Sequence, residues 1–181
     1  MNDVAEVVIS RVRHAFRRRG QVQIRLLRLS GAKLGPRVTF NAPVFVIGPA
    51  QNLTVGAGTV INELVVVNCR GRVRIGSDCH VSSGSQILST RLSVDGSAHV
   101  DDAVVIGDRV WIAAGAVIGP GVTIADDCVV GANSVVLRDL QIAGLYAGTP
   151  ATLVRSRGVN DEGRDPSYPL SPPEGRPPSG G

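Results

Sequence analysis

Three histidines, His14, His80 and His99, are the side chains of this 181-residue chain whose ordinary titration lies near neutrality, so they are where a proton could be taken from an incoming nucleophile. His14 lies in a run with Arg11, Arg13, Arg17, Arg18 and Arg19 and is set aside as a base. His80 directly precedes Val81, and an exposed or intersubunit histidine is its plainer reading. His99 stands in the stretch LSTRLSVDGSAHVDDAVV (88–105) with Asp95, Asp101 and Asp102, carboxylates of the kind that orient a catalytic imidazole. It is the first candidate for a general base, against the alternative of a solvated loop histidine. Cys69, Cys79 and Cys128 are odd in number and lack CxxC or metal-ligand spacing, which argues against a disulfide framework. Two histidines beyond residue 14 cannot make a three-histidine zinc centre, so no metal is expected.

The elements that must hold these groups follow from a repeat. Large aliphatic residues recur every six positions at Ile106, Ile112, Ile118, Ile124, Val130 and Val136, and Gly or Ala mostly follows each of them (Gly107, Ala113, Gly119, Ala125, Gly131). Four positions after the aliphatic residue come Val110, Ala116, Val122, Cys128 and Ser134, mostly small. An earlier block keeps the register at Val55, Ile61 and Val67, then at Ile75, Val81 and Ile87 after two extra residues. A period of six fits neither the 3.6 of an α-helix nor the alternation of a strand. It fits an all-β solenoid, in which three flat six-residue faces close one triangular coil and stacked coils bury one another's apolar layer. The interval from 87 to 106 breaks the register, so residues 88–105 are expected to leave the prism as a loop excursion, a natural place for chemistry on a rigid scaffold.

Composition agrees with a stacked aliphatic core: aromatic residues make up 3% of the chain, beside 22 glycines. The net charge of +4 is uneven, because residues 1–37 hold nine Arg or Lys against two acids and the remainder is net acidic. An acidic coil region poor in aromatics disfavours nucleic-acid binding. Residues 4–18 carry Val4, Ala5, Val8, Ile9, Val12 and Phe16 at helical spacing with arginines toward the end, which predicts a short amphipathic helix; residues 22–29 are ambiguous. Three segments result: a basic helical segment over 1–33, the solenoid over 34–156, and a Pro/Gly/Ser-rich tail over 157–181 that is expected to be disordered. No secretory h-region and no run of about 20 apolar residues is seen, and with the cysteine usage this leads us to expect a cytoplasmic protein.

The segment VVIGDRVWIAAGAVIGPGVTIADDCVVGANSVVLRDL, followed by YAGTPATLVR, resembles the C-terminal coils of the maltose, galactoside and polysaccharide O-acetyltransferases of the hexapeptide-repeat acyltransferase family. The resemblance covers roughly residues 34–156 and implies a left-handed parallel β-helix, a homotrimer, and acetyl-CoA lying in the groove between two prisms. Carried over by position, it implies that Ala114 and Ala132 present backbone groups to the pantetheine arm. Leu137 and Arg138 stand where the family has a Thr-Lys pair, whose cation meets CoA phosphate, and Arg155 after the GTPA turn is a second cation for the nucleotide end. A solvated turn residue is the alternative for Arg138, and a plain surface residue for Arg155. Asn68 in VVNCRG corresponds to an asparagine near the acceptor pocket, or else serves a turn or an asparagine stack. Trp111 faces outward at the groove, against cofactor or against a neighbouring subunit.

The family takes its base from a histidine in the loop excursion. Here STRLSVDG puts Leu92 at that place, and leucine accepts no proton. His99 is the imidazole left to replace it. The resemblance therefore implies transfer of an acetyl or similar acyl group from CoA to a hydroxyl or amine of a sugar or glycan precursor by base-assisted direct attack. The alternative is a non-catalytic trimeric scaffold or regulatory subunit that has lost the histidine. The basic N-terminal helix adds a possible peripheral membrane contact, or is simply a solvated face.

Overall fold

In the computed structural model, residues 18–41 and 43–156 are described. The helix expected over residues 4–18 and the tail over 157–181 fall almost wholly outside them. A helix does run over residues 18–29, where the sequence was ambiguous. It lies against the first coil: a Cβ on Gly20 would sit 1.9 Å from the Phe40 carbonyl oxygen, Ile24 is buried, and Gln23 Nε2 donates to the Val44 carbonyl. Among the described residues no helix is long and apolar enough to cross a membrane.

From residue 33 the chain winds through three parallel sheets in fixed rotation. The first sheet is built from Lys33–Leu34, Leu53–Val55, Val73–Ile75, Val104–Ile106 and Thr123–Ile124. The second begins with Thr39–Phe40 and runs through Val60–Ile61, His80–Val81, Trp111–Ile112 and Val129–Val130 to Gly144–Gly148, where Ala151–Ser156 folds back antiparallel as its last strand. The third is Phe45–Ile47, Val66–Asn68, Gln86–Leu88, Val117–Ile118 and Val135–Val136. Each strand pairs with the equivalent strand of the coil before and after, giving the stacked triangular coils that the six-residue period demands.

Both repeated positions of the hexad point into the prism. Ile61, Val81, Ile112 and Val130 form one column inside the second sheet, and Val67, Ile87, Ile118 and Val136 another inside the third, all essentially without solvent exposure. The residues four places on, Val110, Ala116, Val122, Cys128 and Ser134, are buried as well, so their small size is a packing requirement at the corners. Polar atoms inside are matched. Thr59 Oγ1 donates to the Gly76 carbonyl at 2.7 Å and accepts from the Cys79 amide, and Ser85 Oγ donates to the Ser82 carbonyl at 2.6 Å. Burial pushes the Cys69, Cys79 and Cys128 thiols up.

Two corners turn through left-handed backbone. One stacks Arg37, Gly58, Asp78, Arg109 and Asp127 at φ between 53° and 72°, each amide after the first donating to a carbonyl of the coil below. The other stacks Leu64, Gly84, Gly115 and Asn133 in the same way. Arg109 is clamped at its corner by both carboxylate oxygens of Asp127, each at 2.8 Å.

The register break resolves as a hairpin shorter than the 88–105 expected. Thr90–Leu92 pairs antiparallel with His99–Asp101, and Val104–Ile106 is already back in the first sheet beside Val73–Ile75.

Candidate functional site

The hairpin leaves the prism at the corner between the third and first sheets, and its base is tied to the coil below. Ser89, buried, donates from Oγ to the Asn68 carbonyl at 2.7 Å and accepts from the Gly71 amide at 3.0 Å. Asn68 closes the same corner one coil down, where its Oδ1 accepts from the Arg70 amide at 3.1 Å. Half of its carboxamide is thus spent on the turn, while Nδ2 has no partner among the described residues.

Within the hairpin, Leu92 pairs with His99, Arg91 with Val100 and Thr90 with Asp101. The Ser93 amide donates to the Ala98 carbonyl at 2.8 Å and the Asp102 amide to the Ser89 carbonyl at 2.9 Å. Bonded pairs alternate along an antiparallel ladder, so Leu92 and His99 form a non-hydrogen-bonded pair, whose side chains lie close on one face of the ribbon. Asp101, two residues from His99, shares that face. The imidazole is exposed and has no hydrogen-bond partner among the described residues.

The three carboxylates near His99 in sequence are occupied elsewhere. Asp102 pairs with Arg91 at 3.2 Å and Asp101 with Arg70 at 3.8 Å. Asp95 sits at the hairpin tip, where the Ser93 hydroxyl, then the Ser97 amide and hydroxyl, hold its carboxyl down at about 2. None of the three touches His99, so the dyad suggested by their spacing is not formed within one chain.

On the second sheet, His80 and Trp111 are direct neighbours, with Val60 before them and Val129 after. Trp111 is half-buried and its Nε1 donates to Ser82 Oγ at 3.1 Å. That serine was not singled out in the sequence; the signal for it was the coil-to-coil offset that sets Val81 beside Ile112.

Ala114 and Ala132 occupy the same corner on consecutive coils. The Ala114 carbonyl is already taken by the Asn133 amide at 2.9 Å. The Ala114 N–H and both backbone groups of Ala132 have no partner among the described residues and stand open to an external ligand, while the Ala114 carbonyl already accepts one hydrogen bond. Leu137 is 60% exposed and Arg138 is exposed beside it, with no carboxylate partner among the described residues. Arg155 lies on the terminal antiparallel strand opposite Leu145, following the cis Thr149–Pro150 turn. The prospective groups therefore fall into a hairpin set with Asn68, and a set on the later coils. Among the described residues no cluster of His, Cys, Asp or Glu has the arrangement of a metal centre.

Comparison with known proteins adds independent support. Residues 103–138 match the family described as bacterial transferase hexapeptide (six repeats). The chain is 35% identical over 135 residues, 73% of each protein, to Escherichia coli K12 WcaF, which is named for acetyl transfer in colanic acid biosynthesis. It is 43% identical over 65 residues to the galactoside O-acetyltransferase of the same organism, a stretch covering 36% of this chain and 30% of that protein. A hexapeptide-repeat acetyltransferase of Vibrio cholerae O1 biovar eltor, solved with acetyl coenzyme A, superimposes with a TM-score of 0.69 at 30% identity, covering 75% of this chain and 76% of that one. With the coils, the loop hairpin and this likeness together, the chain belongs to the hexapeptide-repeat acyltransferase family and has its left-handed parallel β-helix.

Proposed function

We propose that this protein is an acetyl-CoA-dependent acyltransferase that moves an acetyl or similar acyl group to a hydroxyl or amine of a sugar or glycan precursor, and that it works as a homotrimer. One relative is named for colanic acid biosynthesis and another for galactoside O-acetylation, and the V. cholerae neighbour binds acetyl coenzyme A. The observation that supports the catalytic part is the register setting His99 against Leu92, the position at which the resemblance implies the family's histidine.

In this reading His99 takes the proton of the acceptor O–H or N–H as that atom attacks the thioester carbonyl carbon. Collapse of the tetrahedral intermediate expels the CoA thiolate, which recovers a proton from the imidazolium. The Ala114 N–H and the Ala132 backbone hold the pantetheine arm, Leu137 packs against it, and Arg138 and Arg155 neutralise the phosphates. Asn68 offers its Nδ2 to the acceptor. The outer row of the third sheet, Phe45, Val66, Gln86, Val117 and Val135, with Phe45 49% and Ile47 51% exposed, supplies apolar surface for a second prism and so supports the trimer. An orienting carboxylate for His99 would then come from a neighbouring subunit.

The second reading, a non-catalytic trimeric scaffold that keeps CoA binding, is favoured by Leu92 itself and by the engagement of Asp95, Asp101 and Asp102 away from His99. Release of CoA thiol from acetyl-CoA over a panel of sugars separates the two. Turnover that His99→Ala removes and His80→Ala preserves supports the enzyme; CoA binding with no turnover on any acceptor supports the scaffold.

A further inference from the structure

The outward face of the helix over residues 18–29 joins an apolar stripe to exposed arginines. Val22, Leu26 and Leu29 are 55%, 58% and 85% exposed, and they fall at i, i+4 and i+7, on one side of the helix. Arg18 and Arg25 lie four residues before Val22 and Leu29 in the same rows, and Arg19 lies seven before Leu26, so exposed guanidinium groups flank the apolar stripe. No carboxylate among the described residues pairs with any of the three. Asp and Glu are absent from the whole run between Glu6 and Glu63, so no acidic side chain from the helix or the first coil neutralises this end of the prism.

The helix cannot roll to hide the stripe. Gly20 is pressed on Phe40, Gln23 Nε2 donates to the Val44 carbonyl, Ile24 is buried, and the Arg28 guanidinium donates to the carbonyls of Leu34 and Gly35 at 3.1 and 2.8 Å. The inner face is fixed, and the outer face stays turned away from the coil.

We propose that this face docks on an anionic phospholipid surface, with Val22, Leu26 and Leu29 entering the headgroup boundary and Arg18, Arg19 and Arg25 meeting lipid phosphates. An apolar stripe with cations on both sides and no acidic residue complements a negatively charged bilayer interface, which offers hydrocarbon and phosphate together. A soluble polyanion would answer the arginines alone. The proposal does not depend on acyl transfer, so its failure leaves the catalytic reading untouched.

The test is co-sedimentation of the full chain with vesicles of phosphatidylcholine alone and of phosphatidylcholine mixed with phosphatidylglycerol. Binding to the mixed vesicles only is expected, with partitioning reduced about tenfold or more in Leu26→Ser/Leu29→Ser and again in Arg18→Gln/Arg19→Gln/Arg25→Gln. The arginine variant alters only exposed side chains and decides the matter if the serine variant fails to fold by circular dichroism. Three results would overturn the proposal: no binding to anionic vesicles, binding that both variants retain, or an oligomeric state that the serine variant disrupts, which would mean that another copy covers the stripe.

Discussion

Leu92 and His99 sit directly across from one another in the antiparallel hairpin, as a non-hydrogen-bonded pair with both side chains on one face of the ribbon. The chain therefore offers two addresses for one imidazole. Exchanging them, as Leu92→His/His99→Leu, should keep a substantial part of the acetyl-transfer rate, while His99→Leu alone removes it. Steady-state kinetics on the three proteins checks this, and a double variant no more active than His99→Leu would show that the ladder does not place the two positions equivalently.

Arg138 is exposed and has no carboxylate partner among the described residues, so it is free to meet a phosphate. Arg138→Ala should weaken acetyl-CoA binding by about 10- to 100-fold, the size of one charge-assisted hydrogen bond. Calorimetry reads it directly. Unchanged affinity would return Arg138 to the solvated surface.

Ile112 is wholly buried in the column between Val81 and Val130. Truncation leaves a cavity that coils above and below cannot close, since each is locked by its own ladder. Ile112→Ala should cost about 2–5 kcal/mol in denaturant unfolding. Leu64 lies on the same scaffold at φ 61°, where a β-carbon is strained, and Leu64→Gly should be neutral or stabilising by about 1 kcal/mol.

Asp95 gives the hairpin a pH signature. Its carboxyl is held at about 2 by the hydrogen bonds of Ser93 and Ser97, below the ordinary 3.8. A lowered folded-state value means that the ionised form stabilises the tip above the ordinary carboxylate range, and that this contribution is lost as the pH falls through about 2. NMR titration should find the Asp95 midpoint near 2 in the intact chain and nearer the ordinary value in Ser93→Ala. A midpoint near 3.8 in both would mean that the tip is not formed in solution.

The coils could be read in the sequence because each inward position repeats: Ile106 through Val136 mark successive walls of the prism six residues apart and return to the same wall every third hexad, and all are buried. The hairpin could not be read beyond its existence. Its register is set by the Ser93 to Ala98 closure with Gly96 at φ 71°, and no periodic apolar residue announces that pairing. Charge partners were equally hidden. Asp101 and Asp102 look like companions of His99 along the chain, yet Arg70 and Arg91 reach them first in space. Residues 22–29 are ambiguous in the sequence for a physical reason as well, because the helix there is apolar on both sides, with Ile24 inward and Val22, Leu26 and Leu29 outward.

The most direct test of the central claim is the rate of CoA thiol release with a sugar acceptor, compared between the native protein and His99→Ala. Loss of about 10²- to 10⁴-fold in kcat at unchanged acetyl-CoA affinity is predicted for a general base. An active protein whose rate does not change in His99→Ala would contradict the assignment of His99.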